Sequence, residues 1–149
     1  MKFNYVKVYD FPKHQRRERI LPWIRFGIFN PKNAEEVLYP VGLVDSGSDV
    51  TIIDYEFGER LGYEVHSGQK QKIFGVGGGF ITVYFHKVGF LIHDGSDESP
   101  IRYQDLVAFT IEKFPPTMPQ QTAILGTIGF FRHFRVTFEF PHQIGLIPL

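Results

Sequence analysis

"VGLVDSGSDVTIID", residues 41–54, is an apolar segment that runs into Asp-Ser-Gly-Ser-Asp and returns at once to apolar residues. With strand alternation, Val41, Leu43 and Asp45 share one face, and Gly42 and Val44 share the other. A carboxylate therefore takes the next place in an apolar row. A single buried charge is costly, so Asp45 must either shift its protonation or acquire a partner. Ser46 can bond to nearby backbone, and Gly47 allows a tight turn or a close backbone approach. "VTII" then restarts a strand, so the loop offers Asp45 from a rigid support. Taken alone, Asp-Ser-Gly also reads as an ordinary turn between two strands.

Alternation continues on both sides of this loop. Ile24, Phe26 and Ile28 fall on one face of "PWIRFGIF", and Val136, Phe138 and Phe140 fall on one face of "RVTFEF". Residues 80–92, "FITVYFHKVGFLI", read as a long strand covered in part on both sides, and residues 101–111 as another. Before the long strand stands "IFGVGGGFITV", a strand pair around a glycine-rich tip. Helical signals are short. Asp54 is placed to cap a helix through "YEFGERLG", with Phe57 and Leu61 four apart and Gly62 at its end. "TIGFFRHF" predicts a second helix, with Thr127 as its cap and Ile128, Phe131 and Phe134 on one face. Turn formers gather at "NPKNAEE", "HDGSDESP" and "KFPPTMPQQ", and there is no internal repeat. The expectation is one mainly-β domain over residues 1–149, a closed β-barrel with short helices and a glycine-tipped hairpin.

Composition narrows the function. Apolar residues make up 43% of 149, enough for a real core and against disorder. The formal charge is zero, which gives no electrostatic basis for capturing nucleic acid or an anionic membrane. The basic stretch "KHQRRERI", residues 13–20, includes Glu18 and reads as a solvated face. There is no cysteine, so thiol catalysis, disulfides and thiolate metal sites are excluded. The six histidines lack metal-ligand spacing, and "HDGSDES" lacks the spacing and terminal Glu of an EF-hand, so no metal or cofactor is expected. "GVGGG" is followed by a strand and by no Lys-Ser/Thr, which argues against a phosphate cradle. "MKFNYVKVYDF" does not read as a signal peptide, and no apolar run is long enough to span a bilayer; a cytoplasmic location is expected.

The order of these motifs resembles the retroviral-type (retropepsin-like) aspartic protease family, particularly its cellular and prokaryotic single-domain members. The matching residues are Asp45-Ser46-Gly47-Ser48 with Thr51 following, the glycines Gly77-Gly78-Gly79, and Ile124-Leu125-Gly126, over roughly residues 20–140. The resemblance implies a β-barrel with one Asp-Thr/Ser-Gly loop per chain. It therefore implies a homodimer in which the Asp45 of each subunit joins a catalytic pair acting on peptide or protein substrates. By the same resemblance, Ser46 hydrogen-bonds across the dimer beneath the pair, and Gly47 lets the substrate backbone lie close. Ser48, Asp49 and Val50 on the floor, and Val76, Gly77, Gly78, Gly79 and Phe80 on the flap, would contact substrate, with Ile124 as a further pocket wall. In viral members the position of Asp49 contacts substrate backbone and pairs with an Arg that directly follows the Ile-Leu-Gly. Here Thr127 stands there instead, so Asp49 either stays solvated or takes another partner, with Arg132, Arg135 or the basic segment 16–19 as the expected sources, within the chain or across the dimer. A non-catalytic dimeric peptide-binding module on the same fold is the alternative.

Overall fold

The structure is a computed structural model that describes residues 1–9, 18–114 and 120–149. Strands β1 (Lys2–Asn4), β2 (Val6–Tyr9) and β3 (Glu18–Leu21) lead into β4 (Trp23–Arg25), β5 (Gly27–Asn30) and β6 (Asn33–Leu38). The strand before the Asp-Ser-Gly loop is β7 (Val41–Val44), and the one after it is β8 (Ile52–Ile53). A short helix, α1 (Tyr55–Arg60), and a 3-10 turn at Val65–Ser67 follow. β9 (Gln69–Phe74) and β10 (Phe80–Ile92) make the glycine-tipped hairpin, and β11 (Ile101–Thr110) returns along β10. β12 (Ala123–Leu125), a 3-10 turn at Phe131–His133, β13 (Phe134–Glu139) and β14 (Gln143–Pro148) complete the chain.

The protein is mainly β, as expected. Nine strands form one sheet in the order β4-β7-β12-β8-β11-β10-β5-β6, with β9 added along β10. That path has free ends at β4 and β6, so the pairing among the described residues gives an open half-barrel where the sequence suggested closure. β1, β14 and β13 form a separate three-stranded sheet, and β2 and β3 a two-stranded ribbon. Among the described residues no helix is long and apolar enough to cross a membrane.

Alternation explains the core. Ile24, Phe26 and Ile28 all enter it, together with Phe90, Ile92, Val107, Phe109, Leu125, Phe130, Ile144 and Leu146. Each such side chain contributes about 1.5–3 kcal/mol when fully removed from water. The aromatic rings of Phe26, Phe90 and Tyr103 stack in sequence, at centroid separations of 6.0 and 4.8 Å. Phe26 itself lies between β4 and β5, where the chain leaves β7 and moves to β10. The long strand behaves as its pattern predicts: Val88 through Ile92 are buried on both faces, whereas Phe80 and Ile81 are exposed.

The first helix forms as read. Asp54 Oδ1 accepts a hydrogen bond from the Glu56 amide at 3.0 Å, and Gly62, at φ +81°, turns the chain away. The second does not form. Residues 126–133 make a wide turn instead, in which the Phe131 amide donates to Gly126 O and the Arg132 amide to Thr127 O, ending in the single 3-10 turn. Gly129, at φ +95°, interrupts the helical path. Both of its backbone groups are taken by side chains of β11: Tyr103 Oη donates to Gly129 O at 3.0 Å, and Asp105 Oδ2 accepts from Gly129 N at 3.0 Å.

Candidate active site

Asp45 leaves the end of β7 into a loop held between β12 and the turn that follows it. β7 runs parallel to β12, with Leu43 opposite Ile124 and Val44 opposite Leu125. The ladder continues past the strand, since the Asp45 amide donates to Leu125 O at 3.0 Å. Ser48 N then closes a turn on Asp45 O at 3.2 Å. The returning limb is bound to the segment after Gly126: Thr127 N donates to Ser48 O and Ile128 N to Asp49 O, both at 2.9 Å, and Thr51 N to Ile128 O at 2.7 Å. Ser48 Oγ adds a bond to Val50 O at 2.8 Å. Backbone that would otherwise be solvated loop is thus paired almost residue by residue, which fixes where Asp45 stands.

Glycine is required where these segments cross. A Cβ on Gly126 would lie 2.3 Å from Val50 O and 2.7 Å from Ser48 O, both main-chain atoms that cannot swing aside. Behind the crossing, Gly126 N donates to the fully buried Thr51 Oγ1 at 3.1 Å.

The face of β7 that carries Asp45 differs from the sequence reading. Gly42 and Val44 are the buried residues, and Val41, Leu43 and Asp45 are half-buried. The charge in a single chain therefore sits at a partly solvated surface rather than in the core. Asp45 Oδ1 accepts a hydrogen bond from the Gly47 amide at 2.9 Å, and Oδ2 makes none among the described residues. Ser46 and Gly47 are exposed beside it.

The other predicted site residues divide into two groups. Val50 and Ile124 belong to a second apolar cluster, with Ile52, Val83 and Ala108 and with Ile73, Phe85, Phe114 and Ile128 against it. This cluster joins the base of the glycine-tipped hairpin to the floor of the Asp45 loop. Val76, Gly77, Gly78, Gly79 and Phe80 lie on the exposed end of the hairpin. There Gly75 N donates to Gly79 O at 2.9 Å, and Gly77 and Gly78 take φ of +90° and +82°, a conformation that L side chains rarely adopt. Phe80 is 52% exposed, packs on Phe74 at 5.8 Å between centroids, and carries Lys72 Nζ over its ring.

Asp49 is exposed and has no ion pair among the described residues. The proposed substitute Arg132 is engaged elsewhere: its guanidinium binds Asp105, with Nε 2.5 Å from Oδ2 and Nη2 in short contact with Oδ1. Arg135 likewise makes no ion pair with Asp49. Arg16 and Arg17 of the basic segment lie outside the described residues, as does the centre of "KFPPTMPQQ".

Asp105 is the residue the sequence reading passed over. It is 4% exposed, and its carboxylate also receives Leu106 N at 2.7 Å, Gly129 N at 3.0 Å and the His133 Nε2 at 2.7 Å. His133 stacks on Tyr103 at 4.1 Å, and burial, followed by the Arg132 charge, lowers its pKa from the usual histidine value. The signal was a carboxylate inside "IRYQDLVAFT" on the strand face it shares with half-buried Tyr103 and buried Val107. Among the described residues no group of three or more His, Asp or Glu is placed to hold a metal ion.

No protein-family model matches the chain, and no curated protein matches it. Among solved structures it is similar to a retropepsin-like aspartic protease from Rickettsia conorii, at 11% identity over 96% of this chain and 91% of that one, with a TM-score of 0.48. It is also similar to the EIAV protease complexed with the inhibitor HBY-793, at 22% identity over 78% of this chain and 86% of that one, with a TM-score of 0.37.

Proposed function

We propose that two copies of this chain form an aspartic endopeptidase. The observation that carries the reading is the Asp45 carboxylate: half-buried on a loop tied down through its own backbone, with one oxygen held by Gly47 N and the other open. A loop serving only to connect β7 and β8 needs neither that support nor a carboxylate at its tip.

One chain supplies one such group, and the chemistry needs two. Two carboxylates brought together about a two-fold axis cannot both ionise easily, so they share a proton, as is general for aspartic proteases. The resulting pKa values belong to the pair, because symmetry makes the two Asp45 residues equivalent. The ionised member takes a proton from a bound water, whose oxygen attacks the scissile carbonyl carbon. The protonated member hydrogen-bonds to the carbonyl oxygen, and a proton then passes to the departing amine as the C–N bond breaks. Ser46, exposed beside Asp45, meets its counterpart in the second subunit of this proposed dimer. The hairpin end with Val76 and Phe80 supplies an apolar cover over an extended peptide, and its glycines give the tip freedom to open and close. Val50 and Ile124 form the floor and predict a preference for apolar residues at the cleaved bond.

The test is a peptide-library digest from acidic to neutral pH, with wild-type protein beside Asp45→Asn. Cleavage by the wild type alone is expected. Cleavage that persists in the Asn variant rules the mechanism out. A stable dimer that binds peptides while neither form cleaves them favours a non-catalytic binding module.

A further inference from the structure

A second carboxylate, which touches no part of the aspartic loop, is bonded to the turn that borders it. Asp105 lies on β11, beyond β8, yet its hydrogen bond to Gly129 N sets the turn that borders the loop. The two preceding residues of that turn carry the connection onward: Ile128 N to Asp49 O, Ile128 O from Thr51 N, and Thr127 N to Ser48 O. Ser48 N is in turn bonded to Asp45 O. Hydrogen bonds joined by the main chain from Gly129 to Thr127 thus link the Asp105 carboxylate to the Asp45 backbone. From these contacts we infer that Asp105 is a positioning residue for peptide cleavage, fixing through Gly129, Ile128 and Thr127 the loop that presents Asp45. This rests on the protease reading above.

Stability alone does not explain this carboxylate. A buried ion pair is often replaceable by well-packed apolar side chains with no loss of stability. Asp105 does what such a replacement could not: it collects two main-chain amides from separate segments, Leu106 and Gly129, together with Arg132 and His133. Tyr103, two residues back on the same strand, holds Gly129 by its carbonyl, so the peptide groups on both sides of Gly129 are gripped. That fixes a glycine at φ +95°, where the backbone would otherwise have several conformations to choose from. Where family members of viral type place an Arg directly after Ile-Leu-Gly, this chain has Thr127, and the cation of the region, Arg132, is turned toward Asp105. The turn is thereby anchored from behind, on the β11 side, and Asp49 is left exposed on the other.

The experiment compares wild type, Asp105→Leu, which has no acceptor for Gly129 N, and the double variant Asp105→Leu/Arg132→Leu, which leaves no unpaired charge if the single variant folds poorly. Two readouts are taken: site-resolved amide exchange, and kcat and KM on a peptide the wild type cleaves. Exchange at Thr51, Thr127, Ile128 and Gly129 should accelerate, while amides of the β10–β11 ladder, such as those of Val83 and Phe109, keep their protection. A misplaced catalytic group costs on the order of 100-fold in rate, so kcat should fall by about that factor with KM little changed. Unchanged protection at the four amides, or protection lost uniformly over the molecule, overturns the inference. So does a loosened turn with kcat intact, which removes the positioning role and leaves the protease reading standing. A wild type that cleaves nothing removes the protease reading itself and the positioning role with it.

Discussion

The hydroxyl of Thr51 accepts the amide hydrogen of Gly126 at 3.1 Å, seventy-five residues along the chain and out of contact with solvent. This bond joins the two segments that cross beneath the Asp45 loop. Thr51→Val keeps the shape of the side chain and removes only the acceptor, leaving Gly126 N buried and unpaired. Such a group costs about 1–3 kcal/mol. The urea midpoint should fall accordingly with an unchanged slope. A midpoint equal to that of the wild type would show that the bond carries no weight.

Gly126→Ala and Gly47→Ala should differ sharply. The first places a Cβ 2.3 Å from Val50 O, inside main chain held by its own hydrogen bonds. Overpacking of this kind costs about 1–3 kcal/mol or somewhat more, and here relief requires the Asp45 loop to move. The second meets only Asp45 Oδ1, at 3.2 Å. Thermal unfolding should show a large loss of Tm for Gly126→Ala and a small one for Gly47→Ala. Equal losses would mean that the crossing is looser than its geometry implies.

Much of this arrangement was legible in the sequence because it depends on local period and on turn chemistry. The alternation over residues 80–92 marked β10 with both its ends, and Asp54 with Gly62 marked α1. Asp45 itself was legible because a carboxylate interrupts an apolar row. Which face of β7 is buried was not. That is decided by contacts over Gly42, where a Cβ would lie 2.9 Å from the Phe26 ring and 3.0 Å from Leu125. The helix expected at residues 127–134 failed for a related reason. Its apolar spacing is helical, but Tyr103 and Asp105, over twenty residues earlier, take both backbone groups of Gly129. Side chains that reach across a sheet to capture main chain leave no periodic trace. For the same reason Arg132 could be nominated for Asp49 when its partner is Asp105.

Alkaline pH should weaken the fold in a defined window. Burial pushes the Tyr63 hydroxyl up from 10.0 to about 12, and burial raises that of Tyr103 in the same direction. Above the ordinary value the unfolded chain releases these protons while the folded chain keeps them. The stabilisation they provide is therefore complete below pH 10.0 and is lost as the pH rises toward about 12. Urea midpoints measured across that range should fall, and Tyr63→Phe should reduce the slope. A slope that is the same in the Phe variant would assign the loss to other groups.

A site shared between two subunits, as proposed, makes a quantitative demand on mixtures of wild type and Asp45→Asn. If each active centre takes one Asp45 from either subunit, a heterodimer has a single carboxylate and lacks the proton-sharing pair. With equal amounts and random pairing, about one dimer in four retains both groups, whereas dilution by an inert protein would leave activity proportional to the wild type added. Activity after subunit exchange should thus drop to about half the value seen with an inert carrier protein at equal mass, and in mixtures of constant total protein it should vary as the square of the wild-type fraction. The variant should fold as the wild type does, because the Asn oxygen can still accept the hydrogen bond that the Gly47 amide donates to Asp45 Oδ1 at 2.9 Å. A linear dependence on the wild-type fraction, measured under conditions where exchange between dimers is complete, would mean that each chain works alone and that one Asp45 suffices.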